Sequence, residues 1–138
     1  MIRLVLDASV ALAWVVDRNP DPYAERVQRA LREGGRALVP ALWQLEVANV
    51  LAMVQRRKVL TREETEEALK YLEGFVVALA EVDGYVPGVR QALSLAQDLQ
   101  LTAYDAVYIE LAQREGLPLA TLDKGLRAAA TKAGIPPL

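Results

Sequence analysis

Apolar residues along this chain fall into short continuous runs separated by longer stretches of helical spacing, and the two kinds of segment alternate. Residues 2–6 form an apolar run broken only by Arg3, too short for a helix and suited to a strand covered on both faces of a parallel sheet. Asp7 ends that run. Residues 8–16 read as helix, and a second helix rich in Arg and Glu is predicted over 22–33, stopped by Gly34-Gly35. A short strand follows at 37–39, after which Pro40 is predicted to open a long helix reaching Arg57. Thr61 with Glu64 three positions on has the form of a capping box, heading a helix to about Leu72. Residues 75–80 read as β-type, and 86–99 as helix. A further helix spans 102–115, closed by Gly116. Residues 117–121 form a strand candidate in spite of Pro118, residues 123–133 a last helix, and Gly134-Ile135-Pro136 the lead into a short terminal strand. Strands alternating with helices at this spacing predict an α/β fold with a parallel sheet and helices on both faces. Sites in such sheets lie past the carboxyl ends of the strands, where Asp7 and Asp123 fall.

A length of 138 residues, 53% of them hydrophobic and 25% charged, is that of one domain, here 1–138, with ample apolar surface for a core. No apolar run approaches the roughly 20 residues of a membrane span. The opening Met1-Ile2-Arg3-Leu4-Val5-Leu6-Asp7 meets an acid too early for a signal peptide, and a cytoplasmic protein is expected. The chain contains no His and no Cys, which removes imidazole bases, thiol nucleophiles and zinc sites built on N or S donors. Any metal must therefore sit on oxygen, which favours Mg²⁺, Mn²⁺ or Ca²⁺.

Four acids stand out, each with a plainer explanation beside the chemical one. Asp7 and Asp123 each follow a predicted strand and precede a predicted helix, the place of an N-cap as well as of a site carboxylate. Asp105, three residues after Thr102, fits a capping box with aspartate in the place of glutamate. Glu46 lies in Leu42-Trp43-Gln44-Leu45-Glu46-Val47-Ala48-Asn49-Val50-Leu51, a helix apolar around most of its circumference, where a carboxylate faces desolvation unless a cation compensates it. Asn49, three positions on, shares its side of the helix, and the pair makes a polar stripe that solvent would also explain. Setting these four aside leaves 14 acids against 16 bases, so a basic surface around an acidic hole is compatible with the net charge of −2. Arg56, Arg57, Lys58 and Arg62 supply one basic patch, which an ordinary solvated helix end would also supply.

Taken together, Asp7-Ala8-Ser9-Val10, Glu46-Val47-Ala48-Asn49, Tyr104-Asp105-Ala106-Val107-Tyr108 and Thr121-Leu122-Asp123-Lys124 occur in that order over nearly the whole chain. This set resembles the PIN-domain family, in particular the VapC-type toxins of toxin–antitoxin pairs. The resemblance implies a three-layer α/β/α sandwich with a central parallel sheet, and an endoribonuclease that hydrolyses RNA phosphodiester bonds. It implies that Asp7, Glu46, Asp105 and Asp123 hold Mg²⁺ or Mn²⁺, with Ser9, Asn49 and Thr121 in supporting roles. It also implies a homodimer, and an antitoxin partner presenting Arg or Lys to the acids in the place of metal. Ala8 departs from relatives that carry a hydroxyl residue there and touches no expected ligand.

The physical chemistry of such a cluster agrees: four carboxylates in one pocket raise one another's pKa values unless divalent cations oppose them. Three other functions compete. A haloacid-dehalogenase-like phosphatase wants a second aspartate two residues after the first, where this chain has Ser9. A receiver-like signalling domain would use Asp7 and Lys124, with Leu79-Ala80-Glu81-Val82-Asp83 supplying the acceptor acid, yet it lacks the paired acids after the first strand. A PIN fold kept only as a binding module would have little reason to carry all four acids.

Overall fold

The computed structural model describes residues 1–138. Its centre is β1 (Arg3–Leu6), where Leu4, Val5 and Leu6 are all fully buried, as a strand covered on both faces requires. β2 (Arg36–Pro40) lies on one side of it and β4 (Leu119–Ala120) on the other, while β3 (Ala80–Asp83) flanks β2; every pairing is parallel, in the order β3-β2-β1-β4. The chain therefore moves outward from β1 through β2 to β3 and returns to β4 on the opposite side of β1. The direction of travel reverses between β1 and β4, which opens a crevice past their carboxyl ends.

Seven helices complete a three-layer α/β/α sandwich: α1 (Ala8–Val16), α2 (Pro22–Arg32), α3 (Trp43–Arg56), α4 (Arg62–Leu79), α5 (Val89–Leu99), α6 (Ala103–Glu115) and α7 (Lys124–Lys132). Helix α1 packs on α2, α3 and α4, whereas α6 lies against β1, β2 and β4 and carries α5 and α7. A hydrophobic core of 29 residues runs from Leu4 to Ile135 and includes Trp43, Tyr108, Leu111 and Leu126. No helix is long and apolar enough to cross a membrane.

The structure corrects four expectations. Pro40 closes β2, paired with Asp83, instead of opening a helix; α3 starts only at Trp43. Proline has no N–H to donate, so it fits the end of a ladder as well as the start of a helix. The strand expected at 75–80 begins only at Ala80, as β3: α4 continues to Leu79, because Ala68, Leu72 and Phe75 bury one helical stripe and Phe75 packs edge-on against Trp14 at 5.2 Å. The helix expected from 86 begins at Val89, since Pro87 disfavours helix in the residue before it and Gly88 takes the cap position. Gly134-Ile135-Pro136 forms no strand. Gly134, at φ 77°, returns its N–H to Thr131, and Ile135 returns its own to Ala130, a Schellman closure that buries Ile135. Pro118, for its part, is tolerated beside the edge strand β4 because it contributes only its carbonyl, which accepts from Val5 N at 2.8 Å.

Candidate active site

The crevice between β1 and β4 is built by backbone continuation. Asp7 follows β1 and is still held to the sheet, its N–H donating to Ala120 O at 2.9 Å. It occupies the N-cap position of α1, yet its side chain caps nothing. Instead Oδ2 accepts from Ser9 Oγ at 2.6 Å and from Thr121 Oγ1 at 2.7 Å. Asp7 and Thr121 are the only polar residues buried in the chain, 6% and 1% exposed, and each answers the other's hydrogen-bonding need.

The same hydroxyls knit the two strand ends together. Thr121 Oγ1 also accepts from Asp123 N at 3.0 Å, and Ser9 Oγ from Leu122 N at 3.1 Å. Asp123 is a working cap, with Oδ1 accepting from Leu126 N at 2.9 Å in the first turn of α7. The plainer explanation thus holds for one oxygen of Asp123 and fails for Asp7.

Glu46 enters from the first turn of α3, half-buried, with Oε1 accepting from Tyr108 Oη at 2.5 Å. Burial first, and then the charges of Asp7 and Asp105, push its pKa up to about 6 against the pull of the tyrosine hydrogen bond. Asp105 sits in the first turn of α6, whose cap is Thr102; its backbone N–H donates to Thr102 Oγ1 at 3.1 Å. Its pKa is also raised, by burial and then by Asp123 and Asp7. Acids from four separate stretches of chain therefore meet here, with Glu46 feeling the charges of Asp7 and Asp105, and Asp105 those of Asp123 and Asp7.

They do not converge to coordination distance: no three carboxylates stand close enough together to hold one metal ion. Three of them are turned to protein donors of their own, Asp7 to two hydroxyls, Glu46 to a phenol and Asp123 to an amide. The donor chemistry nonetheless fits a hard divalent cation, being all oxygen and anionic, with Asp7 Oδ1, Glu46 Oε2 and Asp123 Oδ2 carrying no protein hydrogen bond.

Of the expected supporting residues, Ser9 and Thr121 are in the network, whereas Asn49 is exposed one turn along α3 and joins no hydrogen bond. Lys124 is exposed and forms no ion pair, and Glu81 and Asp83 are paired with Arg3 at 3.7 Å and Arg114 at 2.6 Å. The acids that a receiver-like arrangement would offer as acceptors are thus each held in an ion pair with an arginine. Two residues with no expected role stand at the site. One is Tyr108, and the other is Arg127, whose guanidinium donates to Thr121 O at 2.5 Å while lying over the Tyr23 ring. A tyrosine three positions after Asp105, hence on the same side of α6, was the available signal for the first.

A parallel sheet with this reversal between layers of helices defines a PIN-like fold. The PIN-domain family model matches residues 4–132, and the chain belongs to that family. Among curated relatives, it is 35% identical over 125 residues to Ribonuclease VapC3 of Pyrobaculum aerophilum, covering 91% of this chain and 92% of the relative. It is 33% identical over 127 residues to Ribonuclease VapC3 of Mycobacterium tuberculosis, covering 92% and 87%. The crystal structure of PAE2754 from Pyrobaculum aerophilum shares the fold, with a TM-score of 0.70 over 93% of this chain and 84% of that one at 24% identity.

Proposed function

We propose that this chain is a single-domain endoribonuclease that hydrolyses RNA phosphodiester bonds with Mg²⁺ or Mn²⁺ held by Asp7, Glu46, Asp105 and Asp123. The observation that carries the reading is the shared field of the four acids: Glu46 is disfavoured as an anion by Asp7 and Asp105, and Asp105 by Asp123 and Asp7. Four like charges at one crevice are unfavourable for the fold alone and become favourable when a cation joins them. A bound divalent ion supplies Lewis acidity and positive charge at the phosphodiester.

The chain's own residues prepare that place. Ser9 and Thr121 fix the Asp7 carboxylate in one rotamer, and Asp123 is oriented by its cap bond to α7. Glu46, at about 6, remains mostly ionised at neutral pH. Asp105 and Glu46, whose proton affinities are both raised by burial and neighbouring acids, are the two of the four suited to accept a proton from an attacking water.

The likeness to two VapC3 ribonucleases supports the further reading that the protein is the toxin of a type II toxin–antitoxin pair. Its partner would be an antitoxin offering Arg or Lys to the acids, and its working form a homodimer in the cytoplasm. Purified protein is expected to cleave single-stranded RNA in Mg²⁺ or Mn²⁺, to stop in chelator and to resume when the metal is restored. Cleavage that continues undiminished in chelator would contradict the assignment, and no cleavage under any condition would leave a PIN fold serving as a binding module.

A further inference from the structure

We infer that Tyr108 is a positioning residue for the cation-holding acids, fixing Glu46 of α3 to the start of α1 through its hydroxyl. The inference rests on the proposed function and adds to it a residue outside the set of four. Tyr108 is completely buried on α6, one turn beyond Asp105, in the helix that packs on β1, β2 and β4. Its hydroxyl has two neighbours from distant parts of the chain: Glu46 Oε1 at 2.5 Å and Ala8 N at 3.4 Å.

The directions of these bonds are forced. A backbone amide can only donate, so the phenol oxygen accepts from Ala8, and its single proton goes to the Glu46 carboxylate. One side chain therefore ties together the residue after Asp7, the Glu46 carboxylate and the helix that bears Asp105. Glu46 is otherwise a three-torsion side chain with no other protein hydrogen bond, and its rotamer freedom would have to be given up on binding an ion. A rigid, buried donor removes that freedom beforehand, as outer partners of metal ligands do. The ring alone would fill the core equally well as phenylalanine, so the hydroxyl is what the inference concerns.

The test is Mn²⁺ binding by calorimetry on the parent chain, Tyr108→Phe, Glu46→Gln and the double variant, with a melting curve for each. Tyr108→Phe is expected to bind Mn²⁺ about tenfold more weakly than the parent. In the Glu46→Gln background the same change is expected to alter affinity less than about twofold, because the partner through which it acts is gone. Parent-like affinity in a folded Tyr108→Phe, or an equal loss in both backgrounds, would overturn the inference while leaving the proposed function standing. A parent chain that binds no Mn²⁺ would overturn both.

Discussion

Asp7→Asn is expected to lower RNA cleavage by roughly 10²–10³-fold, equivalent to about 3–4 kcal/mol of lost transition-state stabilisation. Asp7 lies where β1 ends, nearly buried, and both Glu46 and Asp105 respond to its charge. Asparagine keeps the shape and retains a carbonyl oxygen able to accept from Ser9 and Thr121, so the two hydroxyls remain satisfied. What it removes is one anion from four. The fold should consequently be unharmed, and the melting temperature of the metal-free protein unchanged or slightly higher, since repulsion within the cluster falls. Rates measured on single-stranded RNA beside melting curves check both halves. Parent-like cleavage would take Asp7 out of the site.

Thr121→Val should cost both stability and activity. Valine fills the space of threonine but deletes a hydroxyl that donates to Asp7 Oδ2 and accepts from Asp123 N, at a position 1% exposed. Two groups then lose partners: a nearly buried carboxylate and a partly buried amide. Leaving such groups unsatisfied costs about 1–3 kcal/mol, which for a domain of this size is on the order of 3–10 °C in melting temperature. Cleavage should drop about tenfold or more, because Asp7 loses one of the two bonds that fix its rotamer. Thr121→Ser, which restores the hydroxyl, should recover most of both losses. A Val variant with unchanged melting and unchanged cleavage would show that the hydroxyl bridge carries no weight.

Much of the fold was legible because several signals were local. The run through Leu6 reads as a central strand from apolarity alone, and Thr61 with Glu64 forms the capping box its spacing predicts, with both reciprocal bonds present. Misreadings fell where a residue's meaning depends on tertiary context. Phe75 to Leu79 looks β-like in isolation, and only its packing against Trp14 and Trp43 keeps it helical. Pro40 suits either end of an element, and the Schellman bonds of Gly134 and Ile135 fulfil the same local chemistry as a turn into a strand. Asp7 and Asp123 were identifiable as candidates from their position after strands and Glu46 from its apolar helix, whereas Asp105 stood out only as part of the ordered set of four motifs. Their hydrogen-bond partners were not, because the bonds from Tyr108 to Glu46 and from Thr121 to Asp7 join residues 62 and 114 positions apart. Asn49 shows the converse: helical spacing placed it on the side of Glu46, but a turn farther along α3 it reaches open solvent.

The central claim, that the four acids form one divalent-cation site, is tested most directly by melting curves of the parent chain and Asp105→Asn with Mn²⁺ and with chelator. Asp105 is the informative choice because its α6 is capped by Thr102, so asparagine sacrifices no cap. Mn²⁺ at a hundredfold excess over Kd should stabilise the parent by about 2.7 kcal/mol, a rise of several degrees. Asp105→Asn should shrink that rise, and in chelator should melt higher than the parent, because burial and the charges of Asp123 and Asp7 already disfavour its anion. An unaltered Mn²⁺ shift in Asp105→Asn, with no gain in chelator, would contradict the shared site.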